Sequence, residues 1–271
     1  MKHLLPAICL LTSVNLFAEM PNGGICAHQG DNAVFPANTV PAFKSAADKD
    51  AAMVEMDVKR CATGELVIMH DSTVDRTTNG TGEIAKLTFE QIRALDAGVK
   101  KNPNFAGTKV PTFDEAIDSL PKDGIWINVH CSDNVADEVA KKIKEKGRLH
   151  QAFISTSLSA IQRARKVVPE ILSCNMNRTG KRKVAWTPEQ STLYATQTVD
   201  HRCNFLQLIT PCSASDVKLL HGAGAKIGYF RCNEPEKLQE LLDLGVDFIL
   251  TDRLDVIQAK YKELKNEGTE A

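Results

Sequence analysis

Apolar runs of four to seven residues alternate with amphipathic stretches of eight to twelve along most of this chain. The apolar runs, at 25–28, 53–58, 125–131, 152–156, 171–176, 205–209, 226–230 and 248–251, predict strands. The stretches between and after them, at 39–49, 113–120, 135–146, 158–167, 188–198, 214–221, 235–244 and 256–266, predict helices. In 235–244, Leu238, Leu241 and Leu242 recur at helical spacing. Gly222, Gly224 and Gly245 sit where helix C-caps belong. Eight strand–helix units fit an α/β fold of the (β/α)8 barrel type better than an open doubly wound sheet.

One segment breaks the rhythm. Residues 66–69 are strand-like but follow the second strand after a gap too short for a crossover helix, with a turn signal at Thr63-Gly64. They read as a hairpin arm in an insertion running from about residue 59 to 108, which holds the polar run TTNGTG and a short helix near 88–95. Active sites in a barrel of this type lie at the C-terminal ends of the strands. There His28 ends the first strand, Glu55 and Asp57 the second and His130 the third, and the insertion delivers His70.

Those residues define a chemistry. Alternation along a strand puts Glu55 and Asp57 on one face, where two carboxylates repel unless a cation lies between them. Two imidazoles supply a general acid and a general base at neutral pH. Carboxylates with imidazoles point to metal-assisted hydrolysis of an anionic ester.

Composition narrows the setting. The 271 residues are 43% hydrophobic and 25% charged, an ordinary globular profile. A net charge of −1 gives no electrostatic reason to bind nucleic acid or an acidic membrane surface. Residues 1–18, with Lys2 and His3 ahead of an apolar run ending in Ala18, read as a secretion signal too short to span a membrane. That predicts a periplasmic or secreted protein with no stable membrane anchor, whose barrel domain occupies residues 19–271. Eight cysteines, with no CxxC among them, predict neither a zinc knuckle nor a disulfide framework.

The ordered set AHQG, PANT with Ala42-Phe43, EMDV, VIMHD and RTTNGTG resembles the glycerophosphodiester phosphodiesterase family. Pro111-Thr112-Phe113 with Glu115, FISTS and the closing GVDFILTDR extend the resemblance from about Gly24 to Asp255. It implies a TIM-type barrel with a small inserted subdomain and one divalent ion, Mg2+ or Ca2+, with Mn2+ or Zn2+ as alternatives. It also implies hydrolysis of a small glycerol phosphodiester to glycerol 3-phosphate and an alcohol by a two-histidine mechanism. Carried onto this chain, His28 and His70 are the catalytic pair, and Glu55, Asp57 and His130 hold the ion. Gln29, Ser132, Phe230 and Arg231 face substrate.

The chain departs from the family pattern at instructive places. The arginine of the family's HRG is Gln29 and the glutamate of its PENT is Ala37. A family carboxylate on the third strand becomes His130, and a phosphate-contacting lysine becomes Ser132. A neutral imidazole in place of a carboxylate moves the preference away from calcium toward magnesium, manganese or zinc. Loss of two cations leaves Arg231 and the basic loop 178–183 to supply positive charge. The same loss also suits a less charged substrate such as a glycan, or a binding protein without catalysis. Asp252, after the last strand, reads as a structural cap, and Trp126 and Trp186 as packing residues.

Overall fold

The structure, a computed structural model, describes residues 20–176, 187–210 and 212–267. The leader at 1–18, the basic loop 178–183 and Trp186 lie outside the described residues. The strands are β1 (Gly24–Ala27), β2 (Met53–Arg60), β3 (Leu66–Ile68), β4 (Trp126–Cys131), β5 (Ala152–Thr156), β6 (Leu172–Asn175), β7 (Phe205–Leu208), β8 (Lys226–Phe230) and β9 (Phe248–Thr251). All but β3 are parallel, in the order β1-β9-β8-β7-β6-β5-β4-β2. A parallel β1–β2 pairing closes the ring into a barrel, and closure leaves no exposed sheet edge among its eight strands.

The helices are α1 (Val40–Asp48), α2 (Phe89–Ala94), α3 (Phe113–Asp118), α4 (Ala136–Glu145), α5 (Leu158–Val167), α6 (Pro188–Asp200), α7 (Ala214–Gly222), α8 (Leu238–Asp243) and α9 (Leu254–Glu267). Their starts are chemically marked. Thr88, Thr112 and Thr187 each close a capping box with Gln91, Glu115 and Gln190, satisfying amides that a helix start leaves unpaired. Two expectations need correction. The predicted helix 235–244 opens with a 3-10 turn, Pro235–Lys237, before α8 begins. Gly222 is the last residue of α7, whereas Gly224 and Gly245 take the left-handed conformation, at φ 76° and 85°.

Three apolar clusters hold these elements. Val54, Met56, Ile127, Val129 and Ile154 point outward from the strands and pack beneath the helices. Cys26, Met53, Trp126, Phe153, Phe205 and Phe248 fill the lower barrel interior, with Phe153 stacked on Phe205 at 4.0 Å between ring centroids. The insertion has a small core of its own, built on Val67, Met69, Val74, Ile84 and Ile92. Its strand β3 pairs antiparallel with the upper end of β2, as the hairpin reading requires. Arg93 on α2 makes two hydrogen bonds of 2.7 Å to Glu115 on α3, tying the insertion back to the barrel. Each of the seven described cysteines is buried and outside any disulfide. No helix among the described residues is long and apolar enough to cross a membrane.

Candidate active site

The turn after β1 has an unusual backbone. Gln29, Gly30 and Asn38 all have positive φ, at 57°, 77° and 59°. A Cβ on Gly30 would lie 2.7 Å from the backbone carbon of Ala42, so only glycine fits there. Left-handed backbone at non-glycine positions is costly and tends to cluster at functional sites. Here it points polar groups at the second strand. Gln29 donates from its backbone amide to Glu55 Oε2 at 2.9 Å and from Nε2 to Asp57 Oδ2 at 2.9 Å. Asn38 donates from Nδ2 to the same Asp57 oxygen at 2.8 Å and accepts from the Asp57 amide at 3.1 Å.

Glu55 and Asp57 share the inner face of β2 and are each only 3% exposed. Register places Asn128 beside Glu55 and His130 beside Asp57 on β4. His130 Nδ1 lies 2.8 Å from Asp57 Oδ1 and 3.8 Å from Glu55 Oε1. Ligand atoms of Glu55, Asp57 and His130 all fall within 4.8 Å of one another. Burial, then the charge of Asp57, pushes the Glu55 carboxyl well above the usual range. Burial also opposes ionisation of Asp57, but hydrogen bonding and charge from His130, with His70 and Asn38, win and hold it well below that range. Two buried carboxylates of which one is driven to keep its proton, beside an imidazole, form a donor set suited to a divalent cation.

The two other histidines stand beside this cluster, and each is anchored by a carboxylate. His28 Nδ1 is 2.6 Å from Asp252 Oδ1, at the end of β9. Asn32, Arg231 and Asn233 also donate to Asp252, at 2.9, 2.7 and 3.1 Å. Burial raises the Asp252 carboxyl, but bonds from His28, Asn32 and Asn233 outweigh it and hold the group well below its ordinary range. The His28 ring meets Phe230 edge-on at 5.0 Å. His70 is set by the hairpin, where the Met69 amide donates to Asp57 O at 2.9 Å and fixes the next residue beside the cluster. His70 Nδ1 is 2.7 Å from Asp71 Oδ1, and Arg76 clamps Asp71 with bonds of 2.6 and 3.1 Å. Occupied Nδ1 atoms leave Nε2 of each ring turned away from its carboxylate partner, and His28 Nε2 lies 3.9 Å from Glu55 Oε2.

A cavity of about 630 Å³ opens over these groups, lined by His28, Gln29, His70, Phe230 and Arg231 among others. Five of the expected site residues thus share one cavity, with Glu55 and Asp57 beneath Gln29 and His130 bonded to Asp57. Ser132 is not among the lining residues; it precedes the 3-10 turn Asp133–Val135 and donates its amide to Val58 O. Asp252 is no mere cap, because it is the partner of His28. Neither that pairing nor the contribution of the insertion's Lys100 and Lys101 to the cavity wall has a signal in the spacing of residues. Asp71 and Arg76 do have one, since they lie inside the HD and RTT motifs.

The profile of the Glycerophosphoryl diester phosphodiesterase family matches residues 28–256. The chain belongs to that family. Membership makes it a phosphodiesterase-like hydrolase, with a Glu–Asp–His cluster fit for a metal ion. A glycerophosphodiester phosphodiesterase of Caldanaerobacter subterraneus is 29% identical over 84% of this chain and 93% of its own length. Glycerophosphodiester phosphodiesterase 1 of Homo sapiens is 45% identical, but only over 93 residues, 34% of this chain and 28% of that one. The barrel is shared with a glycerophosphodiester phosphodiesterase from Agrobacterium tumefaciens, with TM-score 0.71, 24% identity and 88% of this chain and 99% of that one covered. It is shared too with an Oleispira antarctica phosphodiesterase solved with the product sn-glycerol-3-phosphate, with TM-score 0.72, 23% identity and 88% and 96% coverage.

Proposed function

We propose that this protein is a metal-dependent phosphodiesterase that hydrolyses glycerophosphodiesters to glycerol 3-phosphate and an alcohol, and that it works in the periplasm or outside the cell. One observation carries the reading: two imidazoles, each oriented by its own carboxylate, face one cavity beside a Glu–Asp–His cluster whose carboxylates are buried. The product bound to the Oleispira antarctica relative supports the substrate class.

In the chemistry this arrangement supports, one imidazole removes the proton of the attacking hydroxyl as its oxygen bonds to phosphorus. The other protonates the departing alkoxide as the phosphorus–oxygen bond breaks. Asp252 and Asp71 keep the rings aimed and stabilise whichever imidazolium forms. Glu55, Asp57 and His130 would hold the ion, which, when bound, supplies neutralising charge to the phosphate oxygens. The imidazole in that set favours Mg2+, Mn2+ or Zn2+ over Ca2+. Gln29 braces the two carboxylates through its own donors, and Phe230 walls the His28 ring. The composition of residues 1–18 supports export, which intact-mass analysis of protein from the native host would test.

The deciding assay is turnover of glycerophosphocholine and bis-p-nitrophenyl phosphate by purified protein, with and without EDTA. Expected are chelator-sensitive turnover in the wild type and a loss of about a hundredfold or more in His28→Ala and His70→Ala. Unchanged turnover in both variants would overturn the mechanism. No turnover of any glycerophosphodiester with any of the four ions would overturn the substrate assignment.

A further inference from the structure

The cavity wall carries more positive charge than hydrolysis of a singly charged diester needs. Its charged lining residues are Asp71, Arg76, Lys100, Lys101, Arg231 and Asp252. Four cations therefore face two carboxylates. Both arginines are spent on those carboxylates, Arg76 on Asp71 and Arg231 on Asp252. The lysines are not. Lys101 Nζ donates to the carbonyls of Asn32 and Ala33 at 2.7 and 2.9 Å, and Lys100 Nζ donates to the carbonyl of Asp75. A carbonyl satisfies a donor without cancelling its charge. The Asp75 carboxylate, which feels Lys100, is exposed and accepts instead from the Gly82 amide at 3.0 Å. An ammonium has three donors, so among the described contacts Lys101 keeps one and Lys100 two.

Placement says which part of a substrate would meet them. Glu55 and Asp57 lie buried beneath Gln29, whereas both lysines are exposed and Lys101 reaches across to the loop after β1. That reach, with Phe105 against Phe35 at 5.4 Å, seats the stretch around residues 97–108 on the barrel rim. A scissile phosphate near the two histidines therefore leaves the remainder of the molecule at the lysines. Gln29 and Ala37, both in the lining, are neutral, and the other charged lining residues are paired with each other, Arg76 with Asp71 and Arg231 with Asp252.

Resting on the hydrolase reading above, we propose that Lys100 and Lys101 form a second anion subsite. The preferred substrate is then a glycerophosphodiester that carries a further phosphate outside the reacting centre. Two compact point charges with free donors suit a tetrahedral oxyanion.

The test compares kcat/KM for bis(glycerophospho)glycerol, which has two phosphates, with that for glycerophosphoglycerol, which has one. Wild type, Lys100→Gln, Lys101→Gln, the double glutamine variant and the double arginine variant are measured. Calorimetric binding of glycerol 1,3-bisphosphate against glycerol 3-phosphate runs in parallel and needs no turnover. Wild type should favour the member of each pair that carries the second phosphate by about tenfold or more, since each charge-assisted contact contributes about tenfold. The preference should shrink between low and high salt. It should vanish in the double glutamine variant and persist in the double arginine variant, with thermal melts confirming the fold of each. Turnover without a charge preference, or a preference kept by a folded double glutamine variant, would overturn the subsite and leave the hydrolase standing. Lysine-dependent binding of the bisphosphate without turnover of either diester would do the reverse.

Discussion

His28 depends on a residue that stands 224 positions away in the chain. Asp252 gathers His28, Asn32, Arg231 and Asn233 around one carboxylate, so the ring orientation is fixed by the closing strand of the barrel. Asp252→Asn keeps the shape but lets the side chain donate where His28 now does. Its kcat should fall about a hundredfold while KM moves less than about threefold, because ring orientation matters most as the proton moves. An equal fall in stability and activity, read by a thermal melt beside the kinetics, would mark Asp252 as structural only. His130 poses a different question. His130→Glu adds a hard anionic oxygen to the cluster, so the metal profile should move toward calcium. Activity across calcium, magnesium, manganese and zinc titrations checks this. An unchanged profile rejects ligation by His130.

At the scale of elements, the site is a set of loops held by strands. The turn from β1 to α1 works only because Gly30 lets it pass against Ala42. Gly30→Ala should cost about 1–3 kcal/mol for the left-handed backbone, with a further cost for the 2.7 Å approach. It should also weaken activity by displacing Gln29 from Glu55 and Asp57. Gly64→Ala is the control, with φ 108° but nothing within 4 Å, so it should show the conformational cost alone. Equal melting shifts in the two variants would remove the packing argument. The strands were legible because burial on both faces writes them as near-continuous apolar runs, and three of the eight match residue for residue. The hairpin was legible too, because the turn at Thr63-Gly64 left no room for a crossover. Histidines and acids sat in local motifs and could be read. What could not be read depends on closure. Asp252 meets His28 only once β9 pairs with β1, and Lys100 and Lys101 reach the cavity only once the insertion folds back on the rim. No periodicity encodes either event.

For the whole molecule, the buried cluster makes stability a reporter of the ion. Without a cation, Glu55 holds its proton more tightly in the folded state than in the unfolded one. That contribution is complete below the unfolded glutamate value, about pH 4.3, and is lost as pH rises through the raised folded value. Asp57 and Asp252 act in the opposite sense, because their folded values are depressed. Their contribution is present above about pH 3.9 and is lost as pH falls through the folded values. In chelator the melting temperature should therefore decline on both sides of a mildly acidic maximum. A divalent ion replaces the proton on Glu55 and should reverse the neutral-side decline. At a hundred times its dissociation constant an ion adds about 2.7 kcal/mol. For a chain of this size that is a rise of roughly 5–10 °C. Glu55→Gln removes the burdened carboxylate and isolates the effect. The variant should melt above wild type in chelator at pH 8, and manganese should no longer raise its melting temperature. Scanning calorimetry of both proteins between pH 2 and 8, with EDTA or with manganese, reads every arm. If wild type ignores manganese, or if Glu55→Gln melts lower than wild type in chelator, then Glu55 is a structural acid and the cluster does not hold an ion.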